Sequence, residues 1–285
     1  MIYLLLNSIA LDPNRWTNDK TAYYKFDQLL KPIADAGFHY IEIWGYHILR
    51  ESEKSISSFQ QMGSSLGLHF PIIGLYPKLH LIGNGRRKEM DQLKKIFNDA
   101  KILRSSIIKI FVGNIGTEVI TSAEYERSVE FMSEMTTLAK SSGLVIVGET
   151  HQKTLFDNIG SCKKLLKEVA ATNLKICFQP YNMCDTEQTV RDYEELHENV
   201  IHVHYQGRKN KKLDFLKYSD IDHDILTRKL IDSGFNGYIS LEFVKDCVVK
   251  NSEDFDLLLV LKNAKRDRDF IATIGKKYGS QILYQ

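Results

Sequence analysis

The sequence predicts a (β/α)₈ barrel, an α/β fold in which parallel strands and helices alternate along the chain. Three observations predict it. Short runs rich in Ile, Val and Leu recur along the sequence, and amphipathic stretches separate them. Such runs are typical of parallel strands that are covered on both faces. The glycine patterns of nucleotide-binding open sheets, G-x-G-x-x-G after the first strand and G-x-x-x-x-G-K-[ST], do not occur in the sequence, which disfavours the doubly wound alternative.

Eight apolar runs are predicted to form the strands, and eight strand–helix units are the number that closes such a barrel. No linker, low-complexity tract or change of composition divides the chain. We therefore expect residues 1–285 to form a single domain. The predicted strands span residues 2–8, 40–44, 69–73, 107–111, 144–149, 174–178, 200–204 and 238–242.

Helical patterns lie between these runs. The stretch AYYKFDQLLKPIADAG has apolar residues at helical spacing and stops at Gly37, while Pro32 inside it is expected to kink or restart the helix. RRKEMDQLKKIFNDAKIL and SAEYERSVEFMSEMTTLAKSSG have the same periodicity. For the last stretch we expect Ser122 as the N-cap and Gly143 just beyond the end.

The composition excludes several classes of function. The chain has 285 residues, of which 43% are hydrophobic, so it can bury a sizeable core. A formal net charge of +2 disfavours a nucleic-acid-binding protein. No apolar run reaches the roughly 18 residues of a membrane span. The opening MIYLLLNSIAL lacks the basic segment and cleavage site of a signal peptide, so we expect a first buried strand there.

The four cysteines show neither a C-x-x-C pair nor a close grouping with histidines. They are Cys162, Cys177, Cys184 and Cys247. Disulfide frameworks and zinc sites have recognisable spacings that this pattern lacks. We therefore expect reduced thiols and a cytoplasmic protein.

Polar side chains stand at the carboxyl ends of several predicted strands. The stretch GLVIVGETH ends a strand on Glu149, IHVHYQG contains His204, and ISLEF contains Glu242. The stretch FQPYN after the sixth strand offers the amide oxygen of Gln179. Catalytic groups of such barrels lie at the carboxyl ends of the strands. We therefore expect the four side chains to converge into a divalent-metal site.

Each of these residues also has an ordinary structural interpretation. Glu42 in IEIWGYH could form a salt bridge with a lysine inside the barrel. One of His202 and His204 could be a hydrogen-bonded structural histidine. A single glutamate at the end of a strand more often pairs with a helix cap than with a metal. The coincidence of several such residues on separate strands favours the metal site.

The chain resembles the xylose-isomerase-like barrel superfamily, which contains sugar-phosphate isomerases and epimerases, inosose dehydratases and endonuclease IV. The resemblance covers nearly the whole chain and is most specific in GFHYIEIWGYH, VGETHQKTLFDN, NVIHVHYQG and GYISLEF. Within the superfamily, ETHQKTL and IEIWGYH are most similar to bacterial 3-dehydroshikimate dehydratases and the sugar isomerases close to them. The resemblance implies a (β/α)₈ barrel with one divalent metal ion.

These relatives hold the ion on a glutamate after strand five, an aspartate after strand six, a histidine after strand seven and a glutamate after strand eight. By motif, Glu149, His204 and Glu242 match, whereas Gln179 takes the aspartate position and Asn182 the last place of that pattern. An amide oxygen ligates without charge, which leaves three alternatives: weaker binding, a preference for Zn²⁺, Co²⁺ or Mn²⁺ over Mg²⁺, or loss of the metal and its chemistry. We expect retained binding, because the other three ligands are present together.

The resemblance also implies contacts with the substrate. Lys109 corresponds by position to a cation that dehydratase relatives place against a substrate carboxylate. Gln206 stands where those relatives tend to have lysine, which counts against dehydration of an acidic substrate. His151 is expected to bind substrate oxygens or to orient the metal glutamate. Arg208 could anchor a phosphate or carboxylate, with a solvated basic loop as the alternative, and Trp44 is expected to line the pocket.

The predicted function is isomerisation or epimerisation of a sugar, sugar phosphate or polyol through a metal-stabilised enediolate, with Glu149 and Glu242 as the acid/base pair. Two alternatives stay open: a lyase of the dehydroshikimate or inosose dehydratase type, and a carbohydrate-binding barrel whose metal site decayed at Gln179. The DNA-repair branch is disfavoured, because its metal cluster needs more histidines and acids. The expected cofactor is one Mn, Co, Zn or Mg ion, and the expected partner is a small-molecule substrate; a homo-oligomer stays open.

Overall fold

The computed structural model describes residues 1–181 and 184–284, and over these residues eight parallel strands form a closed barrel. Each strand is short and largely buried, as expected for strands with helices on one side and the barrel interior on the other. The strands are β1 Ile2–Asn7, β2 Tyr40–Trp44, β3 His69–Leu75, β4 Ile107–Phe111, β5 Val145–Glu149, β6 Leu174–Phe178, β7 Val200–Gln206 and β8 Gly237–Phe243.

Eight α-helices alternate with the strands in the part of the chain that the structure describes, and they surround the barrel. A short antiparallel hairpin, Arg208–Lys209 with Lys212–Leu213, follows β7. None of these helices combines the length and the apolar character that crossing a membrane requires. The helices are α1 Phe26–Asp35, α2 Glu53–Ser65, α3 Gly83–Leu103, α4 Ser122–Ser141, α5 Ile159–Val169, α6 Thr186–Leu196, α7 His223–Asp232 and α8 Leu257–Lys277.

The barrel closes where β8 pairs with β1. Ile2 lies opposite Gly237, and the parallel pairing continues along both strands to Leu6 and Leu241. On its other side β8 pairs with β7, and the remaining strands pair in chain order from β1 to β7. The predicted (β/α)₈ barrel is therefore confirmed, and the open sheet is excluded because the first and last barrel strands are bonded to each other.

Most element boundaries agree with the sequence pattern, and two details differ. Helix α1 runs through Pro32 without interruption, because the missing N–H removes only one bond of the helical ladder. Gly37 follows with φ +78°, as a helix-ending glycine should. The expectation of Ser122 as N-cap is wrong. Thr121 caps α4: its Oγ1 accepts the Glu124 N–H at 3.3 Å, and Glu124 Oε2 accepts the Thr121 N–H at 3.0 Å.

The interior of the barrel changes from apolar to polar along the strands. A buried cluster of Leu5, Ile72, Ile107, Val147 and Cys177 fills the barrel below its mouth. Side chains two residues apart on a strand point to the same face. The inward positions one step nearer the mouth on these five strands are therefore Asn7, Gly74, Lys109, Glu149 and Gln179. The fold thus places a floor of packed hydrocarbon directly beneath a layer of charged and polar groups.

Candidate active site

Four side chains that the sequence predicts as metal ligands meet at the mouth of the barrel. Glu149 ends β5, Gln179 follows β6, and His204 and Glu242 lie near the ends of β7 and β8. Their exposed fractions are 0%, 6%, 0% and 3%. We call these four residues the cup. Their convergence follows from the barrel, because parallel strands bring their carboxyl ends to one rim.

The imidazole of His204 lies between the two carboxylates of the cup. Its Nδ1 is 3.7 Å from Glu149 Oε1 and 3.6 Å from Glu242 Oε1. One ligand atom from each of these three residues lies within 4.8 Å of the other two. Ligands that surround one ion at about 2.0–2.2 Å have this mutual spacing. Burial alone would lower the pKa of His204, but Cys177 and the surrounding glutamates raise that pKa well above its ordinary value.

The amide of Gln179 bridges the carboxylates of the cup. Its inward-facing atom is 2.7 Å from Glu242 Oε2 and 3.2 Å from Glu149 Oε1. An oxygen there would face the two carboxylates, whereas the nitrogen donates to both of them, so we assign the nitrogen to this position. A half-turn of the amide about its last side-chain bond would exchange the two atoms and place the oxygen at this inward-facing position. Gln179 can therefore satisfy the acids as a donor or face a cation as an acceptor.

Glu42 fixes the orientation of His204. Its Oε2 is 3.0 Å from His204 Nε2 and 3.3 Å from His202 Nε2. The His204 Nε2–H donates to this carboxylate, which turns the Nδ1 atom toward the cup. Burial would raise the pKa of Glu42, but the imidazoles of His204 and His202 outweigh it and hold that pKa well below its ordinary value.

His202 lies one step deeper in the barrel and is hydrogen-bonded there. Its Nε2 is 2.8 Å from Ser240 Oγ. Burial lowers the pKa of His202 to about 4, so the ring is neutral at physiological pH. Of the two histidines in IHVHYQG, His202 is thus the hydrogen-bonded core histidine, and His204 is the one that faces the cup.

Lys109 is an integral part of the site. Its ammonium is buried and lies 2.7 Å from Glu149 Oε2 and 3.9 Å from Glu42 Oε1. Burial would lower its pKa, but Glu149 and the neighbouring acidic groups raise that pKa well above its ordinary value. Gly74 makes room for this side chain, since a Cβ at Gly74 would be 3.2 Å from Lys109 Cε. The salt bridge of Glu42 with a lysine inside the barrel, one of the interpretations of the sequence, is present at 3.9 Å, and the contact of Lys109 with a substrate carboxylate stays a prediction.

Aromatic rings cover the Lys109 side of the site. The ammonium lies 5.0 Å from the Tyr76 ring centroid and 5.2 Å from that of Phe111. His151 stacks on Phe111 at 4.3 Å, and its Nδ1 faces the Gln152 carbonyl at 2.7 Å. The ring of His151 is thus engaged by Phe111, and its contact with substrate stays a prediction.

Trp44 continues this aromatic surface on β2. It is two residues beyond Glu42 and therefore on the same inward face. Its side chain is 1% exposed and packs on Tyr46 at 5.2 Å. Among the described residues its buried Nε1–H has no hydrogen-bond acceptor. A buried donor without an acceptor is costly, so this N–H is available to an oxygen of a bound molecule.

Gln206 and Arg208 extend the inward face of β7 above His204. The Arg208 Nη2 and Nε atoms donate to Gln206 Oε1 at 2.9 and 3.1 Å. Arg208 is half-buried. The roles of both residues in substrate binding stay predictions. Asn182, which takes the last place of the aspartate motif, lies outside the described residues.

Two contributors to the site were not identified as such from the sequence. Glu42 was weighed only as a salt-bridge residue, although it faces the lysine and both histidines together. Tyr76, which directly follows β3, is not singled out by the sequence. The alternation Ile72, Gly74, Tyr76 places it on the inward face only once the inward register of the strand is known.

The donor set of the cup fits a divalent ion. Two carboxylates and one imidazole face a common centre, and a carboxamide oxygen can complete the set. This mixture of oxygen and nitrogen ligands suits Mn²⁺, Co²⁺ or Zn²⁺ better than Mg²⁺, which prefers oxygen alone. The charges also suit a dication. With His204 neutral, as a metal ligand must be, Glu42, Glu149, Glu242 and Lys109 sum to −2, which one divalent ion neutralises.

Comparison with known proteins agrees with this architecture. The sequence model of a family described as "Xylose isomerase-like TIM barrel" matches residues 30–270. A curated relative, the 3-dehydroshikimate dehydratase of Bacillus anthracis, is 23% identical over 187 residues. That alignment covers 64% of this chain, and it spans 66% of the length of the dehydratase.

Two solved structures share the fold. D-psicose 3-epimerase from Clostridium cellulolyticum H10, solved with D-tagatose, superposes with a TM-score of 0.76 at 17% identity and covers 95% of this chain and 99% of its own. A xylose isomerase-like TIM barrel protein from Mycobacterium smegmatis, solved in complex with magnesium, has a TM-score of 0.70 at 14% identity and covers 97% of both chains. The relatives therefore include an epimerase and a dehydratase.

Proposed function

Because the chain belongs to the xylose isomerase-like TIM barrel family, we propose that it is a divalent-metal-dependent isomerase or epimerase of a sugar or sugar-like polyol. The observation that carries the proposal is the pair Glu149 and Glu242. Their carboxylates approach the same imidazole nitrogen at 3.7 and 3.6 Å from strands β5 and β8. Two carboxylates facing one point from different strands are what a two-sided proton transfer requires.

Glu149, His204 and Glu242 would hold the ion, with the amide oxygen of Gln179 as a fourth ligand. A divalent ion there supplies Lewis acidity toward the carbonyl and adjacent hydroxyl of a hydroxy-ketone. The magnesium complex of the Mycobacterium smegmatis relative supports an ion in a barrel of this family. The imidazole of His204 favours Mn²⁺, Co²⁺ or Zn²⁺ over Mg²⁺.

The protein side chains divide the work of moving the proton. One of Glu149 and Glu242 takes the proton from the carbon beside the carbonyl, and the other, or the same one, returns it. Return to the neighbouring carbon isomerises the substrate, and return to the opposite face epimerises it. Lys109 holds Glu149 Oε2 at 2.7 Å, so the Oε1 atom of that carboxylate is the one that faces the substrate.

The nearly complete burial of the cup supports this chemistry. Its four side chains are at most 6% exposed, and in such an environment interactions between charges are stronger than in water. The aromatic rings of Trp44, Tyr76 and Phe111 offer apolar surfaces to the C–H faces of a polyol. The orphan Nε1–H of Trp44 can donate to one of its hydroxyl groups.

Exchange with solvent deuterium tests the proposal. A ketose incubated with the protein and Mn²⁺ in D₂O should incorporate deuterium from the solvent at the carbon beside its carbonyl. Glu149→Gln and Glu242→Gln should each lower the rate by about 10²-fold or more. Glu253→Gln, a matched change at an exposed position, should leave the rate unchanged. Exchange that survives in both cup variants would overturn the assignment.

A lyase is the second candidate, and the 23% identity to the Bacillus anthracis dehydratase favours it equally. On the same site, proton removal followed by loss of a β-hydroxyl would dehydrate the substrate. An enone absorbance that grows during incubation with a cyclic hydroxy-ketone supports this candidate. If the protein gives neither exchange nor an enone, and Mn²⁺, Co²⁺ and Zn²⁺ leave its melting temperature unchanged, the carbohydrate-binding barrel becomes the better interpretation.

A further inference from the structure

We propose that Arg208 forms a binding site for an anionic group at the end of the substrate remote from the cup. This inference rests on the proposed function, because it assigns the far end of a substrate whose carbonyl end lies in the cup. The anionic group is a phosphate ester or a carboxylate, which a guanidinium recognises through the same paired N–H donors.

Arg208 carries a positive charge that no protein acid neutralises. Over residues 1–181 and 184–284, no carboxylate oxygen lies within ion-pair distance of its guanidinium. The two nearby acids are otherwise engaged: Asp220 pairs with Lys209 at 3.0 Å, and Asp185 caps α6 by accepting the Gln188 N–H at 2.8 Å. A half-buried cation without a counter-ion is a receptor for an anion.

The guanidinium is also held in place. Its Nε and Nη2 atoms both donate to Gln206 Oε1, and its Nη1 donates to the Lys211 carbonyl at 3.4 Å. These contacts anchor one edge of the guanidinium to neutral oxygens and leave the positive charge uncompensated. A pre-oriented guanidinium loses less entropy on binding than a mobile one, which distinguishes Arg208 from an ordinary surface arginine.

The location of Arg208 relates it to the cup. Gln206 is two residues beyond His204 on the inward face of β7, so it lies about 7 Å nearer the mouth. Because Arg208 folds back onto Gln206 Oε1, its guanidinium lies at that level of the barrel. The distance from the cup is roughly the length of a short sugar chain. A molecule with its carbonyl at His204 can therefore present its other end to Arg208.

Arg208 faces an open volume. It lines a cavity of about 590 Å³ together with Tyr181, Gln206 and Lys211 and with two acids, Asp185 and Asp220. Lys211 adds a second positive charge at the exposed edge of this cavity. The cavity is large enough for a phosphate or carboxylate group with its water. Asp220 is paired with Lys209, whereas no described carboxylate lies within ion-pair distance of Arg208 or Lys211, so the side of the cavity that these two cations form is the one that can accept an anion.

Binding of inorganic phosphate gives the first test and does not depend on catalysis. Calorimetric titration of the full chain at constant ionic strength, without added metal, should show binding that Arg208→Gln weakens about 10- to 100-fold. Lys212→Gln removes an exposed charge of the same hairpin that does not line the cavity and should leave the affinity unchanged. An equal loss of phosphate affinity in both variants would show that the effect comes from the general charge of the loop, and it would overturn the proposal.

Deuterium exchange gives the second test. A phosphorylated ketose should exchange with a KM about tenfold or more below that of the same ketose without phosphate, and Arg208→Gln should remove this preference. If a carboxylate-bearing hydroxy-ketone shows the preference instead, the carboxylate is the anion that Arg208 binds. Equal KM values for charged and neutral ketoses overturn the inference while leaving the proposed function intact. If no ketose exchanges, the proposed function fails, and phosphate titration still decides whether Arg208 binds anions.

Discussion

Replacing Gln179 by glutamate changes one uncharged ligand of the cup into a fourth carboxyl group of the same shape. The amide nitrogen of Gln179 donates to Glu242 Oε2 at 2.7 Å and to Glu149 Oε1 at 3.2 Å. An ionised carboxylate in its place would put three negative groups in contact. The variant therefore separates two roles of the amide: holding the two acids together without a metal, and facing a cation when one is bound.

The size of the effect follows from these distances. Two unit charges about 3 Å apart repel by roughly 5 kcal/mol at an effective dielectric constant of about 20. The new carboxyl group faces two such charges and one opposite charge, the imidazole of His204 at 3.3 Å, whose pKa is raised. One net repulsion of about 5 kcal/mol remains, so the carboxyl group will keep its proton in the metal-free protein. Its pKa is then raised above the ordinary value of about 4.3, and retaining the proton at pH 7 costs about 3–4 kcal/mol of folding free energy. The deficit grows as the pH rises from about 4 to 7.

Urea unfolding with a chelator at pH 5, 6 and 7 measures this deficit, and titration with Mn²⁺ measures the affinity for the cation. We expect the variant to lose stability relative to wild type by about 1.4 kcal/mol for each pH unit. We also expect it to bind Mn²⁺ at least about tenfold more tightly, because a carboxylate replaces a neutral ligand. Gln61→Glu, the same change on the exposed face of α2, should do neither.

Two results would refute this reasoning. If metal-free Gln179→Glu unfolds with the stability of the wild type at every pH, the amide does not face ionised acids. If its Mn²⁺ affinity is unchanged while the stability falls, Gln179 contacts the acids but not the cation. The second result would leave the cup with three protein ligands.

Three further predictions follow from the described contacts. Lys109→Met should lower the free energy of unfolding by about 3–5 kcal/mol in urea, because it leaves Glu149 buried beside other carboxylates without its ammonium. Asp267 is buried, and burial raises its pKa to about 7 from 3.8. The fold is therefore most stable at low pH, where Asp267 keeps its proton, and the free energy of unfolding should fall as the pH rises from about 4 to 7. Asp267→Asn should abolish this part of the pH dependence, and at pH 8 the variant should be more stable than the wild type. Thr121→Ala should cost about 1 kcal/mol through loss of the α4 cap, whereas Ser122→Ala should cost less than about 0.5 kcal/mol.

Each of these predictions has a control or a contrary result. A loss below about 1 kcal/mol in Lys109→Met would mean that the neighbouring carboxylates are not ionised. Asp35→Asn alters an exposed aspartate paired with Lys31 and should leave the pH dependence of unfolding in place. A larger loss of unfolding free energy for Ser122→Ala than for Thr121→Ala would show that Ser122 is the cap.

The sequence was sufficient for the architecture because its determinants are local. The β2, β4 and β6 strands have the bounds predicted for residues 40–44, 107–111 and 174–178. An apolar run of this length can bury the side chains on both of its faces only between two layers of secondary structure, whichever residues flank it in the sequence. Gly37 and Gly143 end their helices with positive φ, as their residue type indicates. Thr121 was missed as a cap because Ser122 beside it is an equally good cap by residue type.

The position of the site could also be predicted, because parallel strands in a barrel must bring their ends to one rim. Glu149, His204 and Glu242 were therefore expected to meet. Their metal-ligand and acid/base roles remain predictions for the exchange and titration experiments, as do the substrate contacts of Trp44, Lys109, His151, Gln206 and Arg208.

Residue type and apolar periodicity were enough to predict the strands, the helices and the rim at which the polar side chains gather. Which of these side chains touch is known only from the closed barrel. Lys109 pairs with Glu149 across 40 positions of the chain, the amide of Gln179 turns its nitrogen to two carboxylates, and Arg208 folds back on Gln206 beside a cavity. Apolar periodicity is a property of residues that are close in the sequence. Ion pairs and amide orientation depend instead on ångström distances between strands, which only the closed barrel sets.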